Sequence, residues 1–485
     1  MAILNRRHFI RQTALAASIY AWPLEPSADS HALSDEPGQK SLPLDAAGIR
    51  ELASHVDGSV ITPESPQYES ARTVFNLAFD RHPSLIVRCS SPSDVAYALE
   101  FARNHHLPLA VRSGGHSRLG YGMCDGGLVV DLSLNKRVEV AAGKRIARAQ
   151  AGALVRDLDE ATQRSGLATT SGGCPTVGIA GFTLGGGEGR LMDKYGAACD
   201  NLLSADVITV DGRQLEVSQK NNSDLFWAIR GGGGNFGVVT ALEYKLHPVS
   251  QVLSGSMTFL GARIPDLLQA FIRFLAAAPD EMDAYAQWIP SPTGQKLRID
   301  ICYCGDPRIG IDLIRPLRSL NPQDNNVRVQ SYLEAQAAGG FLLSPVAHFQ
   351  TNVFLRELKE PAITAITTAM NHAPATCKVI ILPLRGAISR VNVSEMAFAL
   401  REPGYEIDIA GTWSALSNKV EVVRWVQATR DSLQPLAHGV YVNQLGDTSE
   451  QLVRSAYGPN YARLVEIKKK YDPTNFLRLN QNIKS

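Results

Sequence analysis

Charges of the two signs nearly balance in this chain, which carries 48 Lys and Arg against 47 Asp and Glu. A near-neutral composition without a basic tract does not favour nucleic acid as a partner. The seven cysteines are scattered without a C-x-x-C pair, so we expect no metal site. Beyond the N-terminal segment, no stretch reaches about 18 uninterrupted apolar residues, so we expect no membrane anchor.

Two common catalytic motifs are also missing. The chain has neither G-x-x-x-x-G-K-[ST] nor G-x-S-x-G, so P-loop and serine-hydrolase chemistry lack support. Residues 232–237 do satisfy G-x-G-x-x-G, but a helical pattern precedes them and a strand pattern follows. The NAD-binding fingerprint needs the opposite order. We therefore interpret this run as a tight turn that contacts another cofactor.

The N-terminus predicts export. Arg6 and Arg7 precede a large apolar pair, and the weakly apolar stretch at 13–22 is too short to span a bilayer. This pattern favours a twin-arginine signal over residues 1–32, which would deliver the protein to the periplasm or the medium. An ordinary secretory signal with two chance arginines is the alternative.

Strand and helix patterns alternate in the first half of the chain. Residues 85–112 predict a β-α-β unit, in which Ser91 caps the helix and Pro92 occupies its first turn. An Asp-Gly turn predicts a hairpin over 206–217. In the tail, residues 439–443 predict a further strand. Loops at the ends of such strands are where α/β proteins place their ligands.

The length of 485 residues predicts more than one domain. The glycine clusters end before residue 250, and strands and helices without such clusters continue to about 430. We predict an α+β protein with a first domain over 42–250 and a second over 251–429, followed by a tail over 430–485.

Two reactive side chains stand on glycine-rich backbone, His116 within 111–117 and Cys174 within 171–178. Glycine lets a main chain approach a flat or anionic ligand closely, and successive N–H groups suit a pyrophosphate. An imidazole and a thiol aimed at one ligand predict covalent attachment of a cofactor. The alternatives are a loop histidine bonded to neighbouring carbonyls and a cysteine acting as a small buried hydrophobe.

This pair of motifs resembles the berberine-bridge-enzyme-like flavoproteins. The resemblance implies a PCMH-type FAD-binding fold, as in vanillyl-alcohol oxidases, with two α/β subdomains and a substrate domain on an antiparallel sheet. It implies that 42–250 and 430–485 bind FAD and that 251–429 bind substrate. FAD would be joined through His116 at its 8α-methyl group and through Cys174 at C6. The resemblance extends over the segments 181–187, 194–196, 200–202, 224–232 and 457–483.

The resemblance also implies a set of flavin-contacting residues. They lie in the loops around the two attachment points, in the glycine turns and in part of the tail. They are Arg112, Ser113, Gly114, Gly115, His116, Ser117, Gly173, Cys174, Val177, Gly178, Gly181, Gly185, Gly233, Val238, Val239, Asn443, Tyr457 and Asn460.

The family's chemistry implies hydride removal from a C–OH group of a sugar, another alcohol or a secondary metabolite. Val177 matches the position that admits oxygen, which favours an oxidase that produces hydrogen peroxide. Alternatives are a dehydrogenase that passes electrons to a quinone or a protein, and a flavin-binding protein without catalysis.

The substrate hydroxyl needs a base. Glu406 matches the strand glutamate of plant relatives, whereas Gln444 stands where a second family base, a tyrosine, is expected. Gln444 cannot take a proton, but it can orient a substrate hydroxyl. Glu406 or a repositioned Tyr441 is therefore the expected base.

Overall fold

The computed structural model describes residues 44–484 except 262, 293, 339–343 and 448. The predicted export signal at 1–32 lies outside these residues.

The helices are numbered in chain order. They are α1 Ala46–His55, α2 Tyr68–Arg72, α3 Pro92–Asn104, α4 Val155–Gln163, α5 Ile179–Leu184, α6 Met192–Tyr195, α7 Ser223–Ile229, α8 Ile264–Ala277, α9 Pro307–Leu313, α10 Arg315–Arg318, α11 Tyr332–Ala337, α12 Glu360–Asn371, α13 Leu416–Leu433, α14 Glu450–Tyr457 and α15 Tyr461–Tyr471. Among the residues described above, none of these helices is both long enough and apolar enough to cross a bilayer.

The strands are numbered in the same way. They are β1 Ser59–Ile61, β2 Leu85–Arg88, β3 Leu109–Arg112, β4 Leu128–Asp131, β5 Val138–Ala141, β6 Ile146–Gln150, β7 Leu167–Ala168, β8 Leu202–Ile208, β9 Gln214–Ser218, β10 Val238–Lys245, β11 His247–Pro248, β12 Gln251–Leu260, β13 Met282–Ser291, β14 Gly294–Tyr303, β15 Asp324–Asn325, β16 Arg328–Ser331, β17 Ala347–Leu355, β18 Cys377–Leu384 and β19 Gly404–Trp413.

The predicted β-α-β unit is confirmed as β2, α3 and β3. The Ser91 hydroxyl accepts a hydrogen bond from the Asp94 N–H, and Pro92 occupies the first turn of α3. Both β2 and β3 run parallel to β4, in a sheet of order β1-β2-β4-β3. The apolar side chains of β2 and β4 are buried, as expected for strands covered on both faces. The loop that carries His116 leaves the end of β3.

A second sheet, of order β5-β6-β10-β8-β9, is antiparallel throughout. The predicted hairpin is confirmed as β8 and β9, with Gly212 at a φ of +85° in the turn. The glycine run at 232–237 lies between helix α7 and strand β10. That helix-then-strand order agrees with the argument against an NAD-binding fingerprint.

An eight-stranded sheet is built from residues 251–413, and every strand pair in it is antiparallel. Its order is β15-β12-β14-β13-β18-β19-β17, with β16 beside β12. Alternate residues of β19 face opposite sides. Ile407 and Ile409 join a hydrophobic core with α8, α12 and α13, whereas Glu406 and Asp408 face the other way. This sheet therefore has one helix-covered face and one polar face.

Two large hydrophobic cores lie within the described residues, which all belong to one compact unit. One core contains side chains from 52–246 and 440–483, and the other contains side chains from 253–433. Six side chains between 384 and 400 pack into the first core, although the sequence assigned them to the second domain. The domain boundaries themselves stay a prediction.

The predicted strand at 439–443 is wrong. Gly439 makes an isolated bridge with Phe354, and a 3-10 turn occupies Val442–Gln444. The Asn352 side chain accepts a hydrogen bond from the Tyr441 N–H at 2.7 Å and donates one to the Tyr441 carbonyl at 3.0 Å. An amide side chain thus takes the place of a partner strand.

Candidate active site

A cleft of about 1930 Å³, counting the space open to solvent, lies between the glycine-rich loops and the polar face of the large sheet. Its lining combines apolar side chains with a few charged and polar groups, as is usual for small-molecule sites. Most of the residues singled out from the sequence line it. They are Arg112, Ser113, Gly114, Gly115, His116, Ser117, Gly173, Cys174, Val177, Gly178, Gly181, Gly233, Val238, Val239, Tyr441, Asn443 and Gln444.

The structure does not bring Gly185, Tyr457 or Asn460 to the cleft lining. A Cβ on Gly185 would lie 1.9 Å from Oδ1 of Asn443, so this glycine makes room for a residue that does line the cleft. The Tyr457 hydroxyl lies 3.2 Å from the carbonyl oxygen of Gln481. The Asn460 side chain donates hydrogen bonds to three backbone carbonyls within 393–397. These two side chains hold the tail in place.

The glycine-rich wall of the cleft fits a flat or anionic cofactor. Gly115 has a φ of +70°, a conformation that residues with a Cβ rarely adopt. A Cβ added to Gly181 or Gly234 would meet nothing within 4 Å, because both positions face the open cleft. Bare backbone at these positions lets a ligand approach the main chain closely.

The His116 ring stacks on Phe75, with ring centroids 3.9 Å apart and an angle of 22° between the planes. Burial lowers the pKa of His116 to about 3, and the positive charge of Arg118 acts in the same direction. The imidazole is therefore neutral at physiological pH and keeps a nitrogen lone pair. A neutral imidazole can form a bond to carbon.

The Cys174 side chain is half-buried in the cleft wall, with its sulfur 3.4 Å from the Thr176 hydroxyl. Backbone hydrogen bonds hold its loop: the Val155 N–H donates to the Val177 carbonyl at 2.9 Å, and the Arg156 N–H donates to the Pro175 carbonyl at 3.1 Å. The thiol therefore stands on a fixed loop on the same cleft as His116.

Three carboxyl groups cluster where the cleft meets the large sheet. Glu188 and Asp408 line the cleft, whereas Glu406 is 0 % exposed and lies behind the lining. Among the described residues, no N–H or hydroxyl donor reaches either oxygen of Glu406, and its neighbours are the carboxyl groups of Glu188 and Asp408. Burial raises the pKa of Glu406 well above its ordinary value, and its two acidic neighbours act in the same direction.

Asp408 is the member of this cluster that receives a hydrogen bond from an amide side chain and lies near a positive charge. Burial raises its pKa to about 6, while hydrogen bonding from Glu406 and the positive charge of Arg118 oppose that rise. Gln350 donates a hydrogen bond to Asp408 at 3.1 Å. Because adjacent carboxylates cannot all ionise, the negative charge settles on the group with donors, which is Asp408.

The other two predicted catalytic side chains are held by hydrogen bonds. The Tyr441 hydroxyl accepts hydrogen bonds from the Gly187 N–H and the Asn443 amide, both at 2.9 Å. Burial raises the pKa of Tyr441 well above its ordinary value, and the nearby glutamates add to this, so it stays a phenol. The side-chain carbonyl of Gln444 accepts hydrogen bonds from the Arg118 guanidinium and the Gln350 amide, both at 2.9 Å.

Sequence reasoning missed three charged cleft-lining residues: Arg118, Glu188 and Asp408. Asp408 had an available signal, since Glu406 matches a strand glutamate and a residue two positions later in a strand shares its face. Glu188 is a lone acid inside a glycine run. No local pattern distinguishes Arg118, because its importance depends on partners distant in sequence.

The comparisons with known proteins agree with this geometry. A family model described as an FAD binding domain matches residues 83–218, and one described as berberine and berberine like matches 440–484. An FAD-linked oxidoreductase of Bacillus subtilis, YgaK, is 31% identical over 88% of this chain and 96% of its own length. The (R)-6-hydroxynicotine oxidase of Paenarthrobacter nicotinovorans is 30% identical over 88% of this chain and 97% of its own.

Among solved structures, 6-hydroxy-D-nicotine oxidase from Arthrobacter nicotinovorans superposes with a TM-score of 0.83. It is 27% identical, and the match covers 88% of this chain and 98% of that one. This likeness confirms the predicted α+β fold class.

Proposed function

Because the chain belongs to the berberine-bridge-enzyme-like family of FAD-linked oxidoreductases, we propose that it is an oxidase acting on a C–OH group. The substrate would be a sugar or another small natural product, and oxygen would be reduced to hydrogen peroxide. One observation carries the proposal: His116, Cys174 and Asp408 line the same cleft. One cleft therefore contains two groups able to hold a flavin, His116 and Cys174, and one group able to accept a proton, Asp408.

FAD, when bound, supplies the acceptor for the hydride that leaves the substrate carbon. We propose that His116 and Cys174 hold it covalently, with the glycine-lined wall against its flat and anionic parts. The neutral state of His116 supports this role, because only an unprotonated nitrogen can form the bond. The fixed backbone of the Cys174 loop supports the second attachment.

The chain's own task in the reaction is to accept the hydroxyl proton. We propose Asp408 as the base, because it lines the cleft and because Arg118 and Gln350 favour its ionised form. Glu406, predicted as the base from the sequence, lies behind it and would act as the acid that shares a proton with Asp408. Tyr441, which stays a phenol, would donate a hydrogen bond rather than accept a proton.

The choice of oxygen over another acceptor rests on Val177, a half-buried side chain of the cleft lining. A small branched side chain there leaves more room than a longer one. Stopped-flow mixing of the reduced protein with air-saturated buffer tests this choice. Rapid reoxidation supports an oxidase, and sluggish reoxidation would instead indicate a dehydrogenase with a quinone or protein acceptor.

The covalent attachment is tested by denaturing gel fluorescence together with intact-mass measurement of the FAD-loaded protein. Wild type should stay yellow after acid precipitation and carry the extra mass of one FAD. His116→Ala and Cys174→Ala should each retain flavin through the remaining bond, and the double variant should release it. Cys304→Ala, which changes another half-buried thiol, is the matched control. A colourless precipitate from fully loaded wild type would refute attachment at both residues.

A further inference from the structure

The stacking partner of His116, Phe75, is a half-buried residue between α2 and β2. The two ring centroids lie 3.9 Å apart. Across the described ranges, no hydrogen bond reaches either ring nitrogen of His116. His116 lines the cleft and Phe75 does not, so the phenyl ring supports the imidazole from outside the cleft. The stack is therefore the contact that sets the plane of the imidazole.

The backbone of Phe75 is bound to the same loop. Its N–H donates a hydrogen bond to the Gly115 carbonyl at 3.0 Å, one residue before His116. The ring and the main chain of Phe75 thus contact two successive residues of the loop. These two contacts fix both the position and the plane of the imidazole.

Phe75 is itself held from the other side by the start of β17. Its carbonyl accepts a hydrogen bond from the Val346 N–H at 3.1 Å. The next residue, Asn76, is 1 % exposed, and its side chain donates to the carbonyls of Arg118 at 2.9 Å and His348 at 3.1 Å. The His348 ring packs edge-on against Phe75, with centroids 6.2 Å apart. Phe75 therefore has little freedom to turn or to move away from His116.

The proposed attachment depends on the orientation of the imidazole. A bond from His116 to the 8α-methyl carbon forms only when a ring nitrogen points its lone pair at that carbon. An imidazole without support rotates about two side-chain torsions. Since a misplacement of about 1 Å can cost about 10²-fold in rate, a contact that fixes the ring should speed the attachment.

We propose that Phe75 is a positioning residue for the covalent attachment of the flavin, because it holds the His116 imidazole at the angle from which it bonds to the 8α-methyl carbon. The proposal rests on the proposed attachment at His116. In that step a nitrogen–carbon bond forms, while one C–H bond of the methyl group and the imidazole N–H bond break. The electron pair of the C–H bond and the two protons reduce the flavin ring, and oxygen then reoxidises it, giving hydrogen peroxide.

The two attachment points have separate supports. Phe75 holds the His116 loop, whereas Val155 and Arg156 hold the Cys174 loop through backbone hydrogen bonds. A change at Phe75 should therefore impair one attachment and spare the other. A residue that only stabilised the fold would impair both.

The test removes one attachment at a time. In Cys174→Ala, flavin can be bound covalently only through His116, and in His116→Ala only through Cys174. Phe75→Leu, which removes the stacked ring but keeps an apolar side chain, is added to each. Denaturing gel fluorescence and intact-mass measurement give the covalently bound fraction. That fraction should fall about tenfold or more in the Cys174→Ala background and stay unchanged in the His116→Ala background.

Two further variants serve as controls in the Cys174→Ala background. Phe75→Tyr keeps a ring that can stack and should retain the attachment. Phe79→Leu is the matched control, because Phe79 is another half-buried phenylalanine of the same segment but packs against Arg81. It should leave the covalently bound fraction unchanged.

An undiminished fraction in the Phe75→Leu and Cys174→Ala double variant would overturn the proposal. An equal loss in both backgrounds would also overturn it, because Phe75 would then have only a general role in the fold. The proposed function fails in a different way: Cys174→Ala on its own would carry no covalent flavin. In that case there is no attachment at His116, and the role of Phe75 is refuted with it.

Discussion

Gly114 and Gly178 meet backbone to backbone. A Cβ on Gly114 would lie 2.2 Å from the Gly178 nitrogen, and a Cβ on Gly178 would lie 2.3 Å from the Gly114 nitrogen. Gly114 is two residues before His116, and Gly178 is four residues after Cys174. The contact therefore fixes the spacing between the two loops that carry the proposed attachment points.

Gly114→Ala should separate these loops. The new methyl group cannot avoid rigid backbone, so we expect a loss of at least about 2 kcal/mol in the free energy of unfolding. The fraction of protein with covalently bound flavin should fall, as measured by denaturing gel fluorescence. Gly143→Ala, where a Cβ meets nothing within 4 Å, is the control. Full flavin retention and an unchanged Tm in Gly114→Ala would contradict this prediction.

Flavin reduction should depend on the ionisation of Asp408. Its pKa is raised to about 6, and a base must be ionised to accept a proton, so kcat/KM should fall as pH drops through about 6 and level off above it. The charged or titratable neighbours of Asp408 include Glu406, Glu188, Arg118 and Lys378. Anaerobic stopped-flow reduction between pH 5 and 8 provides the measurement.

Asp408→Asn should slow that reduction by about 10²-fold or more, the usual contribution of a general base. Asp431→Asn, at an exposed position, is the matched control. A flat profile in wild type, or near-normal reduction in Asp408→Asn, would remove Asp408 from the mechanism.

The sequence predicted those elements whose conformation depends on residues close together in the chain. The cap at Ser91, the proline at Pro92 and the Asp-Gly turn are short-range features, and each element that they predicted is present. The strand at 439–443 failed because the Asn352 side chain occupies its hydrogen-bonding groups. Asn352 lies 89 residues from Tyr441, which is too far for a sequence pattern to reveal.

In the candidate site, too, the features set by local sequence were predictable and those set by distant residues were not. Glycine-rich motifs placed His116 and Cys174 on one cleft because backbone conformation is a local property. The alternation of β19 determines which face Glu406 is on, but only the tertiary structure buries it behind the cleft lining, next to Glu188. The importance of Arg118 depends likewise on Gln444 and His348, which distant segments bring to it.

Val177 should control the access of oxygen. Val177→Leu adds one methylene group to a cleft-lining position and should slow reoxidation of the reduced flavin by about tenfold, the low end of what one methylene does in a packed pocket. The rate of anaerobic reduction should stay unchanged, because the base and the substrate face are untouched. Stopped-flow traces with and without air separate the two rates. Equal slowing of both would indicate a general distortion of the cleft.

Asp159 should make stability depend on pH. It lies on α4 at 2 % exposure, and its carboxyl group accepts hydrogen bonds from the Ser171 hydroxyl at 2.8 Å and from the Gln336 amide at 3.1 Å. Burial raises its pKa to about 7. The folded state therefore binds this proton more tightly than the unfolded chain, whose aspartates titrate near 3.9.

The protonated Asp159 carboxyl group stabilises the folded state by up to about 4 kcal/mol. This contribution is complete below a pH of about 4 and is lost as the pH rises through about 7. Asp159→Asn cannot titrate, so its Tm should fall less than that of wild type between pH 5 and pH 8. Differential scanning calorimetry at both pH values measures the difference, and Asp312→Asn, at an exposed position, should follow wild type. If Asp159→Asn shows the same fall in Tm as wild type, the buried carboxyl group is ionised throughout and the hydrogen bonds from Ser171 and Gln336 outweigh its burial.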